Sequence, residues 1–216
     1  MTDSRKTGLL RLRHLQEHTE ARAEEMTEQR ERFDRLRTGG PPRVVSAFNL
    51  FQTPEPIAAE MVKLATAGRS LGRTLEPSAG LGRLYRAARA TDATARMALV
   101  DNNSDCCREL YIATDGDSFT QLIQGDFLEI DAERLGVFDT VLMNPPFKNG
   151  IDCKHIARAA GLLAPGGRLV ALCANGPRQQ AKLKPIADSW LVLPEGAFKS
   201  EGTGVSVALL TIDKRP

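Results

Sequence analysis

At 216 residues the chain is long enough for one ordinary domain with a real core and an accessory segment. An apolar share of 42% and a charged share of 26% are those of a globular protein in water, and no stretch approaches the roughly 20 apolar residues that a membrane span needs. A formal net charge of +2 leaves global electrostatics silent about nucleic acid.

The first residues, "MTDSRKTGLLRLRHLQEHTE", are charged throughout and lack the apolar centre of a secretory signal. Four cysteines, of which Cys106 and Cys107 are adjacent, make a poor disulfide framework and fit a reduced, cytoplasmic setting. Residues 1–38 are nearly all charged or polar helix formers, and Gly39-Gly40-Pro41-Pro42 stops them. Leu12, Leu15, Met26, Phe33 and Leu36 fall on the two apolar heptad positions, while Thr19, Arg22 and Gln29 interrupt the seam. A solvated arm packed on its own domain, a weak coiled coil, and a dimer or partner contact all satisfy that pattern. The expected plan is a helical arm over 1–38, a linker over 39–45 and one domain over 46–216.

Within that domain strands and helices alternate. "TPEPIAAEMVKLAT" predicts a helix capped by Thr53 with Pro54 at its first position. "RTLEPSAG" is a strand breaking into a Gly-rich turn, with "LGRLYRAARAT" the next helix; "RMALVDN" is a second strand, followed by a helix from Asn103 to Ile112. "FTQLIQGD" and "VFDTVLMN" are further strands, "KHIARAAGLLAPGG" a helix ending at Pro165-Gly166-Gly167, and "RLVALCA" a fifth strand. "SWLVLP" and "VSVALLTI" close the chain with no room for a helix between them. The fold class is therefore α/β: a doubly wound, mostly parallel seven-stranded sheet with one antiparallel strand near the C-terminus, preceded by an N-terminal helix.

In such a sheet ligands sit outside the carboxyl ends of the strands, so those junctions carry the argument. The first reads Glu76-Pro77-Ser78-Ala79-Gly80-Leu81-Gly82, where glycines let backbone approach a ligand before a helix N-terminus. It has neither the G-x-G-x-x-G spacing nor a P-loop ending, and the acid at Glu76 suits a ligand bearing an ammonium group. Asp101, with Asn102 beside it, ends a strand where a carboxylate can accept from ribose hydroxyls or simply precede a helix cap supplied by Asn103 or Ser104. Asp126 and Phe127 offer an acceptor and an aromatic wall, or an ordinary turn and core. At "VLMNPPFKNG" two prolines delete two amide donors, fix two torsions and push Asn144 toward extended geometry, making a stiff corner just past a strand.

"FDTVLMNPPF" resembles the Asn-Pro-Pro-aromatic motif of class I S-adenosylmethionine-dependent methyltransferases acting on nitrogen, most specifically the N6-adenine enzymes. "FNLFQTPEPIAAEMV" resembles the family's Phe-x-Thr-Pro segment, with Phe51, Thr53 and Pro54, which contacts the methionine end of the cofactor. "LEPSAGLG" is similar to its acid-Pro-x-x-Gly-x-Gly loop, and Asp101 and Asp126-Phe127 fall at its ribose and adenine contacts. The order of these pieces is that of the gamma-type DNA enzymes, over roughly residues 46–212. The resemblance implies S-adenosyl-L-methionine as cofactor, DNA favoured over RNA as substrate, and Asn144, Pro145, Pro146 and Phe147 as the catalytic corner. It also implies a flipped-out adenine, because a base inside a duplex cannot reach such a corner. Asn144 Oδ1 and the Pro145 carbonyl would accept from the adenine amino group, and Phe147 would stack on the base.

RNA enzymes that modify base nitrogens, and enzymes that methylate protein glutamine, use a similar corner. A non-catalytic subunit that keeps the fold to bind nucleic acid or a partner is the alternative from another class. Larger relatives carry a separate DNA-reading domain, whereas about seventy residues follow Phe147 here. Substrate contacts are then expected from Lys148, Lys154, Arg178, Lys182 and Lys199, which would meet phosphates rather than bases. No metal is expected: Cys153 and His155 form a C-x-H pair with no second pair at ligand spacing, and His14 and His18 read as surface.

Overall fold

The computed structural model describes residues 51–216. The expected helical arm, the linker and residues 46–50 lie outside the described residues. The elements run in the order α1 (Glu55–Thr66), β1 (Arg73–Glu76), α2 (Arg83–Thr91), β2 (Arg96–Asp101), α3 (Ser104–Ala113) and β3 (Thr120–Gln124). They continue with α4 (Ala132–Leu135), β4 (Phe138–Met143), α5 (Ile151–Gly161), β5 (Leu163–Ala174), α6 (Pro177–Leu183), β6 (Ser189–Val192) and β7 (Val207–Asp213).

One sheet takes all seven strands in the order β3-β2-β1-β4-β5-β7-β6. β7 alone is antiparallel to its neighbours, against β5 on one side and β6 on the other. Strand residues alternate between two cores because successive side chains point to opposite faces. Leu75, Val100, Val141, Met143, Leu169 and Ala171 pack on one face with Ile156 and Ala159 of α5. Leu99, Leu142, Val170 and Leu172 pack on the other with Met61 and Val62 of α1 and Leu84 and Ala88 of α2. A sheet covered on both faces cannot alternate apolar with polar, which is why these strands read as continuous apolar runs.

Three local outcomes differ from expectation. Pro54, not Thr53, is the N-cap of α1, and no side chain caps that end; Thr53 is 3% exposed and bonds elsewhere. α5 ends at Gly161, and Leu163 already pairs with Phe138, so Ala164 to Gly167 form an irregularity within β5 rather than a helix end. Pro177–Leu183 forms a helix that was not among the expected elements. Asn103 caps α3, its side chain accepting from the amides of Asp105 and Cys106. Among the described residues no helix is long and apolar enough to cross a membrane.

Candidate active site

Winding reverses between β1 and β4, adjacent parallel strands in register at Thr74 with Thr140 and Leu75 with Val141. A crevice opens past the carboxyl ends of such a pair. Glu76 ends β1, and Asn144 follows Met143 at the end of β4. One cavity is lined by both, together with Ser78, Ala79 and Gly80, Asp101 and Asn102, and the segment Phe51-Gln52-Thr53.

Glu76 is 1% exposed, and its Oε2 has no hydrogen-bond partner among the described residues. Burial pushes its carboxyl well above the ordinary range; the Asp101 charge adds to this, while a backbone bond at Tyr85 and the Arg86 charge oppose it. A buried carboxylate oxygen facing a cavity without a donor is built to receive one. The turn after it is held open by main chain: Ala79 N donates to Val100 O at 2.9 Å and Gly82 N to Ala79 O at 2.8 Å. Gly82 has φ of 76°, and a Cβ there would come 3.0 Å from Leu110 Cδ2, so glycine fits where a side chain would strain.

Asp101 Oδ2 accepts from Gly80 N at 2.7 Å, and its Oδ1 accepts from Asn103 N at 2.8 Å. The carboxylate thus latches the Gly-rich turn to the start of α3, and each oxygen keeps a further lone pair for a hydroxyl in the cavity. Cys106 also lines the cavity; burial pushes its thiol up to about 12, which leaves it protonated and inert.

Asn144 faces this cradle. Its Nδ2 donates to Phe51 O at 2.9 Å and to Thr53 Oγ1 at 3.2 Å. A carbonyl oxygen only accepts, so the amide nitrogen must face Phe51 and Oδ1 is the end left over. Among the described residues nothing donates to Asn144 Oδ1, and no amide donates to the Pro145 carbonyl. Phe147 is half-buried against the core and lines the same cavity. Arg83 closes the near side: its Nε donates to Gln52 Oε1 at 3.1 Å, and its guanidinium pairs with Glu55.

Behind the cradle, Ser78 Oγ lies 3.2 Å from His155 Nδ1. Burial lowers the His155 imidazole to about 4, Asp126 working against this and Arg158 with it, so the ring is neutral at physiological pH. Cys153 and His155 are both buried on α5, and among the described residues no group of three or more His, Cys, Asp or Glu could hold a metal.

The structure therefore brings Phe51, Thr53, Glu76, Ser78, Ala79, Gly80, Asp101, Asn102, Asn144, Pro145, Pro146 and Phe147 to one cavity. Pro54, Pro77 and Gly82 do not line it. Asp126 and Phe127 do not line it. Asp126 Oδ1 accepts from Leu128 N at 2.8 Å in a tight turn. Phe127 is 2% exposed, tilted against His155 at 5.4 Å and covered by Arg158, so its apolar bulk goes to the core instead of a wall. Lys148, Lys154, Arg178, Lys182 and Lys199 are exposed. Gln52, Leu81, Arg83, Leu84, Asn103 and Cys106 line the cavity without having been expected there. Arg83 was the findable one, as a charged first residue of the helix that opens from the glycine turn.

The profile of the methyltransferase small domain matches residues 59–192, more than half of the chain. The chain belongs to the methyltransferase small domain family. A search of curated proteins by sequence found no match. Among solved structures it is similar to the methyltransferase subunit of a type I restriction-modification system from Streptococcus thermophilus, at 19% identity and TM-score 0.68, over 80% of this chain and 46% of that one. It is also similar to an RNA methyltransferase from Salinibacter ruber in complex with S-adenosyl-L-homocysteine, at 18% identity and TM-score 0.55, over 76% of this chain and 94% of that one. A third is the Thermus thermophilus 16S rRNA N2 methyltransferase in complex with AdoMet and guanosine, at 16% identity and TM-score 0.56, over 80% and 45%. The chain thus spans about half the length of the type I subunit it matches.

The cofactor of this methyltransferase family is S-adenosyl-L-methionine. The residues present fit it. The unpartnered Glu76 Oε2 suits its ammonium group, Asp101 suits its ribose, and the glycine turn leaves room for its backbone-sized middle.

Proposed function

We propose that this methyltransferase acts on the exocyclic N6 of adenine in nucleic acid, with DNA the favoured substrate. The observation that carries the reading is Asn144, whose amide nitrogen is tied to Phe51 and Thr53 while Oδ1 and the Pro145 carbonyl stand beside the donor cavity with no donor on them among the described residues. The adenine amino group has two hydrogens and a lone pair delocalised into the ring. Two acceptors on those hydrogens favour a more tetrahedral nitrogen and aim its lone pair away from the ring. The prolines hold both acceptors in place before substrate arrives. When bound, S-adenosylmethionine supplies a methyl group already activated on a sulfonium, so the chain need provide only alignment, which is worth about 7–11 kcal/mol. Asn144 and Pro145 would hold the amino group so that its lone pair faces the methyl that a bound S-adenosylmethionine would supply, with the thioether as leaving group and the surplus N6 proton passing to water. Phe147 offers the base a stacking face, worth about 1–3 kcal/mol. Glu76, Asp101 and Asn102 hold the donor, and Lys148, Lys154, Arg178, Lys182 and Lys199 meet phosphates.

The test is transfer of a labelled methyl group into DNA, RNA and protein, followed by digestion to nucleosides. N6-methyladenine from DNA is the expected product. Asn144→Ala should lower turnover by about 100-fold or more, the scale of losing one preorganised polar group, and leave S-adenosylmethionine binding nearly unchanged. Label found in guanine or in glutamine would overturn the adenine assignment, and equal loss of turnover and binding would overturn the role of Asn144.

A further inference from the structure

Asn144 does not hold its own orientation. Its side chain lies past β4, but both of its donor bonds go to residues more than ninety positions earlier in the chain, Phe51 and Thr53. Those residues are also part of the donor cavity wall. Thr53 is 3% exposed yet caps no helix, so its buried hydroxyl is explained by Asn144 alone among the described residues. On the other side the same segment is tied to the cofactor turn, through Arg83 on Gln52 and Glu55. One strap therefore touches the donor cavity and the acceptor amide together.

We propose that Thr53 is the positioning residue for Asn144, and that the Phe51–Thr53 strap couples donor occupancy to acceptor geometry. The inference rests on the methyl-transfer reading of the site. An amide can present either end to a partner, and a flipped Asn144 would offer hydrogens to an amino group that itself offers hydrogens. Phe51 O removes that alternative, since a carbonyl only accepts, and Thr53 Oγ1 accepts a second bond from the same Nδ2 that fixes the amide in that orientation. A donor that firms the strap lowers the cost of holding Asn144, and by linkage an amino acceptor bound at Asn144 raises donor affinity by the same factor.

The experiment compares Thr53→Val, which keeps the shape and loses the hydroxyl, with Thr53→Ser, which keeps the hydroxyl. Two quantities are read: turnover at saturating S-adenosylmethionine and DNA, and solvent exchange of the Asn144 side-chain amide protons by NMR, with and without S-adenosyl-L-homocysteine. The Asn144 signal is assigned by its loss in Asn144→Ala. Thr53→Val should lower turnover by about tenfold or more and speed amide exchange by a similar factor, while Thr53→Ser stays within about twofold of the natural chain on both readings. In the natural chain S-adenosyl-L-homocysteine should slow that exchange, and in Thr53→Val it should do so far less. Unchanged exchange in Thr53→Val, or a Thr53→Ser variant as impaired as the valine one, overturns the inference. Thr53→Ala takes the place of the valine variant if the latter does not fold. If the natural chain methylates no nucleic acid, the function reading fails, and the amide exchange still decides the clamp.

Discussion

Glu76 occupies a place where a carboxylate is costly. It is 1% exposed, and one of its oxygens has no partner among the described residues. Burial, the leading cause, holds its folded-state pKa well above the ordinary carboxyl range. For an acid shifted upward the stability contribution is fully present below the unfolded value and is lost as pH rises through the folded one. The donor-free protein should therefore lose stability as pH rises out of the acid range, and Glu76→Gln should flatten that part of the profile. At neutral pH or above the variant should melt higher; each kcal/mol relieved raises the melting temperature of a chain this size by about 2–4 °C. On the proposed reading, in which Glu76 holds the donor's ammonium group, the same substitution should weaken S-adenosylmethionine binding by about 10- to 100-fold. Binding to the natural chain should release a proton from Glu76, visible by calorimetry in buffers of different ionisation enthalpy. A Glu76→Gln chain that melts lower and binds as well as before would show that the carboxyl answers to something other than the donor.

At the scale of elements, buried polar groups tie α5 to α6, to the end of β5 and to the turn after β1. Asp152, in the first turn of α5, is 0% exposed; its carboxylate accepts from Gln179 Nε2 of α6 at 3.1 and 2.9 Å and from Ala174 N at 3.2 Å. Three residues on, His155 bonds to Ser78 of the glycine-rich turn. Its pKa is lowered from 6.5 to about 4, chiefly by burial. A base shifted downward contributes stability that is present above the unfolded value and lost as pH falls through the folded one. The chain should therefore lose up to about 3 kcal/mol between pH 6.5 and about 4 from this ring alone. In His155→Gln the fall in chemical-denaturation stability over that window should be shallower by about that amount; an unaltered slope would mean that the ring titrates freely. None of these ties was legible in the sequence. The strands were, since a sheet buried on both faces makes apolar runs such as Val141 to Met143 and Leu169 to Cys173. α6 was not, because only Gln179 and Leu183 of its seven residues are buried, too few to show a helical period. Thr53 looked like a helix cap for the same reason that it serves Asn144: a hydroxyl beside Pro54 has the right local chemistry for both, and only the fold decides which partner arrives.

At the scale of the described domain, the cavity opens past the carboxyl ends of β1 and β4, and Lys148 and Lys154 are exposed just after its Phe147 wall. Several arginines away from it are engaged: Arg89 with Asp117, Arg168 with Asp213, Arg73 on the carbonyls of Leu135 and Val137. Among the described residues Lys148, Lys154, Arg178 and Lys182 enter no ion pair. Lys148 follows Phe147 directly, and the Arg178 side chain lies so close on Gly150 that a Cβ there would come 2.7 Å from its Cδ. Lys182 stands four residues after Arg178, on the same side of α6. Exposed cations after Phe147 and against Gly150, in no ion pair among the described residues, fit a polyanion that passes over the proposed catalytic corner. Contacts to phosphate carry no sequence information, but they set a salt dependence, because each neutralised phosphate releases counterions. Affinity for DNA should thus fall linearly on logarithmic axes as salt rises, and Arg178→Ala and Lys182→Ala should each reduce that slope by about 1. The reduction should be equal for oligonucleotides of unrelated sequence, and methyl transfer at low salt should survive both changes. A slope that stays put in both variants would move the phosphate track off α6, and a loss confined to one sequence would turn Arg178 or Lys182 from a phosphate contact into a reader of bases.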